Sequence, residues 1–168
     1  MTVDRLIADL IDREGGFVDD PADRGGPTRF GITLGTLRAW RAPVPVTRAD
    51  VELLTREEAT AIYRQQYVDG PGFSSAIGDD RLLTLVVDYG VLSGPQAATR
   101  ALQRAIGIHD DGVLGPQTRR LLVSQGGSAE VYKRLLADRI SHHCELVLTN
   151  PSQRRFLRGW LSRCVSFL

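Results

Sequence analysis

The segment from residue 80 to residue 92 constrains the fold most strongly, because it is apolar on almost every face of a helix. A helix that is apolar on all sides has to be enclosed by other elements. The segment therefore predicts the central helix of a helical bundle. Its Asp88 is open to two interpretations, and we favour a buried, fully hydrogen-bonded structural carboxylate over a catalytic one.

Helical periodicity recurs along most of the remaining chain. An apolar stripe predicts a helix over Val3–Glu14, which the following Gly15-Gly16 pair ends. Between Phe17 and Thr33 glycines and prolines predict an irregular hairpin. We therefore expect an α+β fold that is mostly α-helical, with one small irregular β-hairpin near the N-terminus. Further helices are predicted over 34–41, after Thr47, from 55 to about 67, over 95–106, from Pro116, over 129–148 and over 152–167.

Charge and hydropathy exclude several classes of protein. The 21 basic and 20 acidic residues nearly cancel, so no overall field indicates nucleic-acid binding. No apolar stretch has the length of a membrane span, and Met1 is not followed by a signal-peptide pattern, so we expect synthesis in the cytoplasm and no stable membrane insertion. His142 and His143 are adjacent and His109 is isolated, so we predict no metal site.

Glu14 is the catalytic candidate that the residues alone bring forward. It follows Leu10 by four positions and Ile11 by three, so it lies on the apolar stripe of its own helix. Burial there would penalise the charged form and raise the pKa of the carboxyl, as a general acid requires. The other interpretation is a partly exposed residue at a helix end, bonded to a backbone amide or an arginine. Periodicity alone favours this second interpretation.

A longer pattern surrounds Glu14. The sequence resembles the N-terminal signature of glycoside hydrolase family 108 in the run from Glu14 to Thr33, which reads EGGFVDDPADRGGPTRFGIT. Members of that family are N-acetylmuramidases of phages and bacteria. The resemblance continues through Ile62-Tyr63-Arg64 and Asp88–Val91 and reaches residues 102–118, which are similar to the family's peptidoglycan-binding-like region. For that last segment, a purely structural role is an equally good interpretation.

The resemblance implies a lysozyme-like fold and a set of catalytic roles. Glu14 would donate a proton to the glycosidic oxygen, and Asp23 would stabilise the oxocarbenium-like transition state or position a water that Thr28 helps to hold. Asp19 and Asp20 compete with Asp23 for the second role. Sugar contacts are expected from Asp20, Phe30, Tyr67, Tyr89 and Ser93.

We expect one domain over residues 1–168, in which a catalytic lobe (1–94) packs against a helical, peptidoglycan-binding-like lobe (95–168). The resemblance implies hydrolysis of the β-1,4 bond between N-acetylmuramic acid and N-acetylglucosamine, without cofactor or metal. A lytic transglycosylase that forms anhydro-muramic ends is one alternative. A non-catalytic wall-binding or virion structural protein is another, because Leu92 and Val68 depart from the family pattern.

The expected partner is the glycan strand of peptidoglycan, and the expected oligomeric state is a monomer. Without a signal peptide, the protein would reach the periplasm or cell wall through a holin, a secretion system or a virion.

Overall fold

The structure is a computed structural model that describes residues 2–19, 26–125 and 127–168. The chain divides into two compact units, Met1–Gln66 and Tyr67–Leu168. Both consist mainly of helices, and the described chain contains one small antiparallel sheet, which confirms the predicted α+β class. No described helix combines the length and the apolar character that crossing a bilayer requires. The division into lobes at residue 94 stays a prediction.

The first unit starts with the predicted N-terminal helix. The Thr2 side chain caps it by accepting a hydrogen bond from the Arg5 amide (3.3 Å), and its buried stripe includes Leu10 and Ile11. The elements of the unit are α1 (Val3–Glu14), β1 (Thr28–Arg29), β2 (Ile32–Thr33), α2 (Leu34–Arg41), α3 (Arg48–Glu52) and α4 (Arg56–Arg64).

Helix starts in this unit follow their sequence signals. Thr47 and Asp50 form the capping box of α3, and the Thr55 hydroxyl accepts a hydrogen bond from the amide of Glu58 (3.2 Å) at the start of α4. The predicted end of α4 near residue 67 is wrong, because the α-helix stops at Arg64 and a π-helical turn over Gln65–Asp69 follows. A π-turn depends on local packing and has no signal in the hydrophobic pattern.

The second unit is built around the apolar segment from residue 80 to residue 92. Its elements are α5 (Phe73–Ala76), α6 (Asp80–Ser93), α7 (Pro95–Ala105), α8 (Pro116–Gln125), α9 (Ala129–Thr149), a 3₁₀ turn (Pro151–Gln153) and α10 (Arg154–Val165). Helix α6 packs against α5, α7 and α9, and its Leu82 and Leu85 side chains are fully buried. The prediction of a central buried helix is confirmed.

The contact between α6 and α7 is close because Gly90 has no side chain. A Cβ atom at Gly90 would lie 3.6 Å from the Pro95 Cα and 3.7 Å from the Ala98 Cβ. Gly94 joins the two helices with a φ of 88°, a backbone conformation that favours glycine. The two helices therefore form one closely packed pair across residue 94.

Asp88 connects three helices of this unit. Its side chain is fully buried and forms ion pairs with Arg139 of α9 and with Arg163 of α10, whose Nε lies 2.7 Å from the Asp88 Oδ1. This confirms the structural interpretation of Asp88. His143 is also buried in the unit (1 % exposed), and its ring stacks on Trp160 at 5.1 Å.

The Asp111-Gly112 turn is fastened to α7 by Gln103. The Gln103 amide nitrogen donates to the Asp111 Oδ1 (2.7 Å) and to the Val113 carbonyl (2.9 Å), and its oxygen accepts from the Gly112 amide (2.8 Å). Because the Gln103 side chain is buried and its oxygen and nitrogen are both bonded, this part of residues 102–118 has a structural role.

Candidate active site

Glu14 is the last residue of α1, and the chain leaves the helix through Gly15. The Glu14 side chain is exposed, so the burial predicted from its apolar stripe is wrong. The stripe is covered by the core as far as Ile11, one turn earlier, and the two following glycines add no side chain that could cover the carboxyl. Among the described residues, a Cβ atom at Gly15 or Gly16 would have no neighbour within 4 Å.

A tight turn at the hairpin tip approaches the stem of Glu14. Phe30 and Gly31 are the central residues of the turn, with φ values of 53° and 76°, and Arg29 pairs with Ile32 on either side. Positive φ at both central residues is typical of a type I′ turn, which normally contains asparagine or glycine. Phe30 is the one described non-glycine residue with a positive φ.

Hydrogen bonds hold the backbone of Phe30 on both sides. Its amide donates to the Gly15 carbonyl (3.1 Å), and its carbonyl accepts from the Tyr63 hydroxyl (3.1 Å). A Cβ atom at Gly31 would overlap that hydroxyl oxygen and would lie 3.0 Å from the Glu14 Cγ. The end of α1, the hairpin tip and α4 therefore form one contiguous cluster around the stem of Glu14.

Thr28 lies in the hairpin strand that runs beside the segment following Glu14. It exchanges two backbone hydrogen bonds with Val18 (2.8 and 2.9 Å) and pairs with Thr33 across the sheet. Since Thr28 has a paired neighbour on each side, its backbone position relative to the end of α1 is well defined. Its side chain is half-buried.

The second carboxylate predicted for catalysis, Asp23, and its competitor Asp20 lie outside the described residues. The other competitor, Asp19, forms an ion pair with Arg48, whose guanidinium carbon lies 5.0 Å from the centroid of the Phe17 ring. Arg48 thus ties the segment after Glu14 to α3, which indicates a structural role for Asp19.

The residues predicted to contact sugar differ in accessibility. Phe30 is half-buried with the Arg29 guanidinium 5.1 Å from its ring, and Tyr67 and Ser93 are half-buried residues of the second unit. Tyr89 is 1 % exposed, and its hydroxyl donates to Asp138 (3.2 Å). Burial, followed by the nearby Asp138 carboxylate, raises the pKa of Tyr89. The structure places this ring in the core, and a sugar contact from it is not supported.

Sequence reasoning missed two residues of the cluster. The Ile62-Tyr63-Arg64 run carried part of the family resemblance, but nothing in its spacing indicated that Tyr63 holds the hairpin tip. Gly31 stood in the family signature without a reason for a glycine there. Among the described residues, no group of three or more His, Cys, Asp and Glu side chains is placed to hold a metal ion.

Known proteins resemble the chain in both sequence and structure. Residues 7–94 match the family model described as glycosyl hydrolase 108, and residues 97–165 match one described as a predicted peptidoglycan domain. Among solved structures, the chain is similar to SagA of Brucella abortus, with 30 % sequence identity and a TM-score of 0.72. The similarity covers 97 % of this chain and 89 % of the SagA chain. No curated protein matches the sequence.

The first family model spans more than half of the sequence, and the SagA similarity covers nearly all of it. A glycosyl hydrolase segment followed by a peptidoglycan segment makes the protein a glycoside hydrolase that acts on peptidoglycan. The chain belongs to the glycosyl hydrolase 108 family.

Proposed function

We propose that the protein is an N-acetylmuramidase in which Glu14 protonates the glycosidic oxygen between N-acetylmuramic acid and N-acetylglucosamine. The observation that carries this proposal is the cluster at the end of α1, where the stem of Glu14 lies against the hairpin tip and the residue is exposed. A general acid has to reach the leaving oxygen within hydrogen-bond distance. Glu14 is accessible for that contact.

The exposure of Glu14 fits the approach of a bulky polymer. Gly15 and Gly16 present backbone without side chains, so a glycan strand can come close to the carboxyl. A strand bound there would bring the glycosidic oxygen within hydrogen-bond reach of the carboxyl. In this proposal the bound substrate covers the carboxyl, whereas the sequence led us to expect cover from the core.

Hydrolysis also needs a nucleophile and a group that balances the developing positive charge. The proton of Glu14 passes to the leaving oxygen as the bond from C1 to that oxygen breaks. A water molecule adds its oxygen to C1 and releases one proton, which returns through solvent to the Glu14 carboxylate. We assign the charge-stabilising role to Asp23 and the positioning of the water to Thr28. The backbone hydrogen bonds between Thr28 and Val18 support this part, because they hold Thr28 beside the segment that follows Glu14.

Glu14→Gln tests the proposal in an assay of purified peptidoglycan. The amide cannot donate the proton that the leaving oxygen needs, so the release of reducing ends should fall by about two to four orders of magnitude. Asp23→Asn and Thr28→Ala should also slow release. Glu57→Gln is a matched control, because Glu57 is an exposed glutamate of the same unit at the start of α4.

Unfolding midpoints of all four variants should match that of the wild type, which separates a chemical loss from a folding loss. A full rate in Glu14→Gln would overturn the assignment. Mass spectrometry of the products checks the reaction type, since hydrolysis leaves reducing muramic acid ends and transglycosylation leaves anhydro ends.

A further inference from the structure

The second unit contains a pocket of about 310 Å³ that no part of the proposed reaction uses. Residues from the start of α6, the first turns of α9 and the C-terminal end of the chain line it. Its volume lies at the lower end of the range typical of small-ligand sites. The pocket lies wholly within this unit, whereas Glu14 belongs to the first unit.

Two basic side chains and one acidic side chain line the pocket. Arg81 and Lys133 both line it, and neither forms an ion pair with a described carboxylate. The Arg81 guanidinium carbon lies 4.8 Å from the centroid of the Tyr132 ring, a cation–π contact that helps to orient it. The acidic lining side chain, Asp79, accepts a hydrogen bond from the Leu82 amide (2.7 Å) as the cap of α6 and forms no ion pair with Arg81 or Lys133.

The backbone at the start of α9 adds amide hydrogen-bond donors, which carry partial positive charge like the two cations. Ser128 caps this 21-residue helix by accepting from the Val131 amide (3.2 Å). The first amides of a helix have no acceptor within the helix and form the positive end of its dipole. Leu136 and Phe167 are buried and give the pocket an apolar floor. Two cations, helix-start amides and an apolar floor together fit a carboxylate carried on a short aliphatic body.

We propose that this pocket binds the carboxylates of the peptidoglycan stem peptide. The start of α9 lies in the segment that matches the predicted peptidoglycan domain, so the wall polymer is the relevant ligand source. Within that polymer the amino-acid residues of the stem carry free carboxylates on small aliphatic side chains, whereas the sugar hydroxyl and acetamido groups are uncharged. Binding there would anchor the enzyme to the wall through the peptide rather than through the glycan. The proposal rests on the peptidoglycan substrate and not on the role of Glu14.

Binding of a disaccharide–tetrapeptide to the full chain tests the proposal by calorimetry. The Glu14→Gln variant serves as the parent protein, so that the ligand is not degraded. We expect saturable binding that weakens at least about tenfold in the double variant Arg81→Gln, Lys133→Gln, since each charge-assisted bond contributes roughly that factor. Arg134→Gln is the matched control, because Arg134 lies on α9 outside the pocket and pairs with Glu130 (2.9 Å). Its affinity should equal that of the parent.

Two further ligands identify the recognised group. A tetrapeptide ligand with all carboxylates amidated should bind at least about tenfold more weakly than the free acid. Equal affinity of the amidated ligand, equal affinity of the double variant, or no saturable binding would overturn the proposal. Equally tight binding of a peptide-free disaccharide, whose lactyl carboxylate is free, would also overturn the stem-peptide assignment. Each of these outcomes leaves the rate measurement on Glu14→Gln unaffected, so the two proposals fail independently.

Discussion

At the hairpin tip, a phenylalanine adopts a backbone conformation that costs an L-residue about 1–2 kcal/mol relative to ordinary backbone. Phe30 keeps its φ of 53° because its amide and its carbonyl are both hydrogen-bonded, to Gly15 and to Tyr63. Strained residues of this kind occur preferentially at functional sites, where the surrounding structure compensates for them. The strain at Phe30 thus supports the placement of the active site beside Glu14.

A double-mutant cycle tests the contact between Gly31 and Tyr63. Gly31→Ala should destabilise the fold by about 1–3 kcal/mol, because the φ is 76° and the new methyl group would overlap the Tyr63 hydroxyl. Tyr63→Phe removes that oxygen, so the cost of Gly31→Ala should fall by at least about 0.5 kcal/mol in the Tyr63→Phe background. Denaturant unfolding measures both costs.

Gly16→Ala is the matched control for this cycle, since a Cβ atom there meets no atom of the described chain within 4 Å and the φ of Gly16 is not positive. It should change stability by no more than about 0.5 kcal/mol. Fully additive costs of the two substitutions would contradict the contact. The same methyl group would lie 3.0 Å from the Glu14 Cγ. Gly31→Ala should therefore also lower the rate of peptidoglycan hydrolysis, by a larger factor than the loss of folded protein accounts for.

Single residues were the least predictable level of this structure. The sequence placed Glu14 on the correct face of α1, but the end of the covered stripe is set by which elements pack against it, and periodicity carries no information on that. The positive φ of Phe30 could not be predicted, because a phenylalanine at that position has no turn propensity. Tyr63 acts through a contact 33 residues distant in sequence, which no local pattern reveals.

Helices α6, α9 and α10 are joined by buried charge. Asp88 of α6 pairs with one arginine from each of the other two helices, and the buried His143 ring of α9 stacks on Trp160 of α10. Burial lowers the pKa of His143 to about 4, and the nearby Arg139 and His142 act in the same direction, against the opposing effect of Asp88. His143 is therefore neutral in the folded protein over most of the pH range.

This histidine makes the stability of the fold depend on pH. Between its unfolded pKa of 6.5 and its folded pKa of about 4, the unfolded state binds more protons than the folded state. The free energy of unfolding should therefore be highest above pH 6.5 and fall by about 3 kcal/mol as the pH drops to 4. Denaturant titrations at pH 7.5, 5.5 and 4.5 measure this loss.

His143→Phe should flatten that pH dependence, because the replacement ring stays neutral and can still stack on Trp160. His142→Gln is the matched control on the neighbouring, half-buried position and should keep most of the slope. An unchanged slope in His143→Phe would assign the acid sensitivity to other groups.

Helices could be predicted where the sequence carried both a hydrophobic periodicity and a capping residue. The span of α1 was predicted to the residue, and α6 was recognised by its apolar circumference. The Thr55 cap marked the start of α4, but no comparable signal marked its end at Arg64, where the backbone changes to a π-helical turn.

At the scale of the whole molecule, the family segments and the compact units have different boundaries. The glycosyl hydrolase segment extends to residue 94, whereas the first compact unit ends at Gln66. Helix α6 therefore belongs to the hydrolase segment by sequence and to the second unit by packing, where it contacts α7 and α9. The glycosyl hydrolase segment therefore contributes α6, the central helix, to the core of the second unit.

A fragment of residues 1–94 should fail to fold cooperatively. It would retain α6 without α7 and α9, and would expose side chains that each contribute about 1.5–3 kcal/mol when buried, among them Leu82, Leu85 and Val86. Circular dichroism during thermal unfolding and binding of a hydrophobic dye measure the effect, with the full chain as control. A sharp transition and wall lysis by the fragment would contradict it.

The close packing of Gly90 against Pro95 and Ala98 has a consequence for protein engineering and for the recombination of such enzymes. A chimera could join the hydrolase segment of one relative to the peptidoglycan segment of another near residue 95. Its α6, with a glycine at the contact, would then pack against an α7 from a different protein. Donor and recipient would have to match at this seam in side-chain size, or the graft would have to carry α6, α7 and α9 together. Functional exchange of wall specificity should therefore favour crossovers before α6, even where sequence families suggest a later one.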